Sequence, residues 1–111
     1  MNVKELKTKI KELSAEIKEL KKYLRQNHDE LDMVSSKMSR LSMLKAKIRS
    51  YYILYAFLRG KTYESVEKQK SDINLFYRMS FRMKEVFGDN EEAKAAFKQW
   101  FFNTGKMKEV A

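Results

Sequence analysis

The sequence predicts an all-α protein: a long N-terminal coiled-coil helix followed by a small C-terminal helical head. Three observations predict it. The chain has no proline and only three glycines, at 60, 88 and 105, so few positions force a turn. Apolar residues from Val3 to Leu24 recur at alternating spacings of three and four. From Met43 onward the apolar pattern widens until it covers nearly every side of a helix, as a buried segment does.

The first helix rests on Val3, Leu6, Ile10, Leu13, Ile17, Leu20 and Leu24. With Val3 at heptad position a, the a positions read Val, Ile, Ile, Leu and the d positions are all Leu. β-Branched a with leucine d favours a parallel two-stranded assembly, so these seven residues are expected to hold a homodimer or a higher coiled-coil oligomer. Glu16 at g could reach Lys21 at e of a second copy, whereas Lys7 and Lys9 find no such complement. The register continues through Asn27, Leu31, Val34, Met38, Leu41, Lys45, Ile48, Tyr52 and Tyr55. One helix of roughly fifty residues is therefore expected, because nothing nearby turns the chain. The competing arrangement breaks at Asn27, with Glu30 three residues on as the partner in a capping box.

Gly60 stands where a left-handed C-terminal cap is wanted, one residue beyond the apolar run YYILYAFL. Thr62 can cap a short helix to about Lys70, and Ser71 or Asp72 can cap the next, ending at Phe87. Gly88 follows, then Asp89 with Glu92 begins a last helix carrying Ala93, Ala96, Phe97, Trp100 and Phe101 on one side. That helix is expected to stop near residues 103–105. The organisation is thus an oligomerisation helix over 1–42, a small helical domain over 43–105, and a fraying tail over 106–111.

Charge points toward a polyanion. The net charge is +9, and residues 37–61 hold Lys37, Arg40, Lys45, Lys47, Arg49, Arg59 and Lys61 without a single acid. A concentrated basic segment suits phosphate contacts. Gly60 and the two helices after it match the order of a helix-turn-helix unit, whose second helix reads the major groove. On that helix Ser71, Asn74, Arg78 and Arg82 lie along one face, and Ile73, Phe76, Met83 and Phe87 on the other. Asn74, Arg78 and Arg82 are accordingly candidate contacts to base edges and phosphates. The expected function is a non-enzymatic, dimeric nucleic-acid-binding protein, for DNA or RNA, of a helix-turn-helix-like kind. The alternative is a coiled-coil interaction module, an adaptor, inhibitor or assembly factor, docking a protein through its Met- and aromatic-rich head.

Catalysis has little to work with. His28, beside Asp29 and Asp32, is the sole histidine, and there is no cysteine, so no zinc set or nucleophile pair assembles. Three widely spaced glycines cannot form a phosphate loop. No catalytic residue, metal ligand or cofactor is expected. The lack of cysteine and of any long apolar run favours an intracellular protein without a membrane partner.

Overall fold

The computed structural model describes residues 1–26, 31–60 and 73–110, the side chains of 31–33 and 103–110 apart. Asn27, His28, Asp29, Glu30 and Lys61 therefore lie outside the described residues, as do the expected helix over 62–70 with its Thr62 cap and the Ser71 or Asp72 cap of the helix after it. Five helices occupy the described chain: α1 (Val3–Gln26), α2 (Leu31–Leu58), α3 (Ile73–Arg78), α4 (Ser80–Phe87) and α5 (Glu91–Val110). The protein is all-α, a long helical region followed by shorter helices.

Helix α1 starts at a reciprocal cap. Asn2 Oδ1 accepts from the Glu5 N–H at 2.8 Å while the Asn2 N–H donates to Glu5 Oε1 at 3.5 Å. The helix does not continue into α2. Along one straight helix Glu16 and Arg40 would stand about 36 Å apart, yet their side chains meet at 2.6 Å. Lys37 also lies over the Tyr23 ring, 5.5 Å from its centroid. The α2 partner moves forward as the α1 partner moves back, so the two helices form an antiparallel hairpin. This corrects the expectation of one fifty-residue helix. A periodic seam specifies a contact but not which chain supplies the other side.

The seam is in fact satisfied within the chain. Leu6, Ile10 and Leu13 are buried, with Ile17 and Leu20 packed against the same core as Leu44, Tyr51 and Leu54 of α2. Val3 and Leu24 at its ends are half-buried. A two-stranded coiled coil through these residues would have to displace α2.

The widened pattern after Met43 has the expected cause. Tyr51, Ile53, Leu54 and Ala56 are buried on several sides of α2 because α4 and α5 pack on its C-terminal half. Phe97 of α5 is 0% exposed, with the rings of Phe57, Phe76, Phe87, Trp100 and Phe101 between 5.3 and 6.2 Å away. The start of α1 joins this assembly: the Met1 amino nitrogen donates to the Val86 carbonyl at 2.7 Å.

Both expected glycine stops are left-handed, Gly60 at φ +67° and Gly88 at φ +60°. At each, a side chain would be strained even though no neighbour crowds the Cβ position. The helix expected to run unbroken to Phe87 is interrupted at Met79, yet its hydrogen bonds run through, Met79 N–H to Leu75 O and Met83 N–H to Met79 O. The last helix is capped one residue later than expected: Asn90 Oδ1, not Asp89, accepts from the Ala93 N–H at 3.0 Å. Its far end also differs, running to Val110 rather than stopping near 103–105. Gly105 costs a helix about 1 kcal/mol but does not oblige it to end.

Candidate nucleic-acid interface

Of the ten candidate contact residues, Lys61 lies outside the described residues, and the other nine differ in burial and engagement. Arg40 is spent on Glu16, Lys37 lies over Tyr23, and Arg59 covers the Tyr55 ring at 5.8 Å. Lys47 is half-buried. Lys45 and Arg49 are exposed and have no charge partner among the described residues. Four residues apart on α2, they lie on one side of the helix.

The expected recognition face fares differently. Asn74 and Arg78 are exposed. Arg82 belongs to the fold: its Nη1 donates to Glu85 Oε2 at 3.0 Å and lies 3.4 Å from the Tyr51 hydroxyl. Its guanidinium also stacks at 4.8 Å over Phe81 and 5.5 Å over Tyr51. The Tyr51 ring is 1% exposed, and its hydroxyl donates to Glu85 Oε1. This cluster joins α2 to α4 through polar groups, and it leaves Arg82 unavailable to a base edge without breaking that junction.

Burial is the largest influence on the Tyr51 phenol and pushes its pKa above the usual value, with the Glu85 hydrogen bond adding to it. A raised phenol pKa favours the folded state wherever the phenol is neutral. That contribution is complete below the unfolded pKa, about 10, and is lost as pH rises through the folded value. Tyr51→Phe is therefore expected to lower stability by about 0.5–1.5 kcal/mol at neutral pH. It should also flatten the loss of stability above pH ~10. Thermal melts of both proteins between pH 7 and 11 check this; parallel curves would mean the hydroxyl contributes nothing.

Sequence reasoning put Ile73 on the packing face, but it is 54% exposed. Ile73, Tyr77 and Phe81 form an open apolar row at spacings of four, the last two each 67% exposed. The packing side is instead Leu75, Met79, Met83 and Val86, with Phe76 and Phe87 at its edge. The missed signal was that apolar residues recur on two sides of this short helix, and only one side can face the core.

The sequence weighs the α1 charges only as flanks of the seam, Glu16 and Lys21 with Lys7 and Lys9, and not as faces of their own. At about 100° per residue, Glu5, Glu12, Glu16 and Glu19 fall within one arc of the helix. Lys4, Lys7, Lys11, Lys18, Lys22 and Arg25 fall within another, and all six are exposed. The seam, the acids and these bases take about a third of the circumference each.

Among the described residues no group of three or more His, Cys, Asp or Glu side chains could hold a metal, and no helix is long and apolar enough to cross a membrane. Comparison with known proteins finds no matching family model, no similar curated protein and no similar solved structure.

Proposed function

We propose that this chain is a non-enzymatic nucleic-acid-binding protein that grips the phosphate backbone and reads little sequence. The observation that carries the reading is the pair Lys45 and Arg49, exposed and without charge partners among the described residues, in a stretch of 25 residues, 37–61, that contains no acid. Exposed, unpaired bases on a rigid helix can neutralise phosphates without first breaking an internal ion pair. The engagement of Arg82 argues against a helix-turn-helix reader, since half of the expected base-contacting arginine pair is used in packing. Phosphate contacts position a protein on nucleic acid but do not specify sequence. Such a partner implies an intracellular location.

A second reading keeps one specific observation in its favour. The row Ile73, Tyr77 and Phe81 is an exposed apolar stripe of the kind that docks a protein partner.

Titration of a mixed 20-base-pair duplex pool at two salt concentrations tests the first reading. Lys45→Gln with Arg49→Gln should weaken every sequence alike and reduce the salt slope by about 0.9 per contact removed. Tyr77→Ser should leave nucleic-acid binding unchanged. A parent protein that retains no nucleic acid at 50 mM salt would overturn the reading and leave the apolar row as the functional surface.

A further inference from the structure

We infer that the nucleic-acid contact is made chiefly by α1, through a straight row of bases, and that its ligand is a duplex. The inference rests on the nucleic-acid reading and identifies the surface and the form of the ligand.

The row is Lys4, Lys7, Lys11, Lys18, Lys22 and Arg25, every member exposed and none ion-paired among the described residues. Spacings of three, four and seven hold all six within an arc of about 60°. No acid falls in that arc, because the four glutamates of α1 lie about a third of a turn away. Lys9 and Lys21 sit at the edges of the seam and belong to neither strip.

The hairpin adds to this row. Glu16 and Arg40 meet across the two helices and mark one flank of the hairpin. On α2 the inward row is Leu41, Leu44 and Ile48, of which Leu44 is buried and the others half-buried. Lys45 and Arg49 lie across that row from Arg40, and α1's bases lie across the seam from Glu16. In an antiparallel pair both groups therefore emerge on the same flank. One side of the hairpin carries eight bases from two helices and, among the described side chains, no acid, while the glutamates of α1 lie on the other.

The shape of this face selects its occupant. From Lys4 to Arg25 the row spans about 31 Å. A duplex of about nine base pairs covers the same length with phosphates at a fixed repeat. A row held straight by a packed helix matches a stiff, regular polyanion; a flexible strand gains less from it. A lipid surface would need an apolar face beside the bases, and the apolar side of α1 is committed to the core through Leu6, Ile10 and Leu13.

Neutralising the row tests this. Lys7, Lys11, Lys18 and Lys22 are each changed to Gln, which keeps helix propensity close to that of lysine, and circular dichroism with a thermal melt verifies the fold. Glu5→Gln with Glu12→Gln serves as the control on the opposite strip. Binding is read on 6-, 9- and 14-base-pair duplexes, a 14-nucleotide single strand, and vesicles containing phosphatidylserine. If six phosphates are engaged, parent affinity for the 14-base-pair duplex should fall about 10³-fold between 50 and 200 mM salt, and that of the quadruple variant only about tenfold. The salt slope should reach its plateau at about nine base pairs, with weaker binding to the single strand and none to vesicles. The control should bind at least as well as the parent.

Failures separate cleanly. If the quadruple variant binds like the parent while the Lys45 and Arg49 changes abolish binding, the α1 assignment falls and the nucleic-acid reading stands. Equal affinity for the single strand, or binding to vesicles, overturns the duplex. A parent that binds none of these overturns both.

Discussion

Phe97→Ala is expected to lower stability by about 3–5 kcal/mol, the usual cost of deleting a fully buried phenyl ring. The ring is 0% exposed and sits among five other aromatic rings contributed by α2, α3, α4 and α5. Each well-oriented aromatic pair adds about 0.5–1.5 kcal/mol beyond area burial. These rings come from helices approaching from several directions, so the cavity cannot close by sliding one of them. With an unfolding entropy of about 2.1 cal/mol/K per residue, the thermal midpoint should fall by roughly 15–20 °C. Phe81→Ala is the control: that ring is exposed, and its removal should cost less than about 1 kcal/mol. Differential scanning calorimetry on both variants is decisive. Equal, small shifts would mean that α5 does not close the core in solution.

Ile10→Asp carries the second large effect. Ile10 is 7% exposed at the middle of the α1 seam, and a carboxylate there would be buried without a partner. That costs several kcal/mol, a large part of the total stability of a chain this size. The hairpin geometry adds a sharper expectation. Because the seam is closed by the chain's own α2, the melting temperature of the unmutated protein should not change over a hundred-fold range of concentration. The aspartate variant should unfold as a single chain, with no dissociation step. A parent midpoint that climbs several degrees with concentration would show that a second copy supplies part of the core, and the seam would then belong to an oligomer.

Much of this architecture was legible in the sequence. The absence of proline, the three-and-four spacing of Val3 to Leu24 and the widening after Met43 determined the helices and most of the residues they bury, Met43 and Tyr52 within the widened run staying exposed. Gly60 and Gly88 were legible as stops, since only a residue without Cβ accepts a left-handed φ cheaply. The basic bias of residues 37–61 was legible too. Its division into engaged and open bases was not, because that depends on Glu16 and Tyr23 arriving from another helix. Arg82 reads in sequence as a groove-facing arginine and in space as the partner of Tyr51 and Glu85, more than thirty residues away from the first.

Helix, seam and charge were therefore determined by the sequence alone. The partner of the seam, the side of α3 and α4 that faces the core, and the flank on which the bases of α1 and α2 emerge together were decided only by the tertiary structure. The physical reason is that a periodic apolar stripe requires burial but is indifferent to what buries it. The antiparallel pairing of α1 with α2 determines which surfaces remain for a ligand.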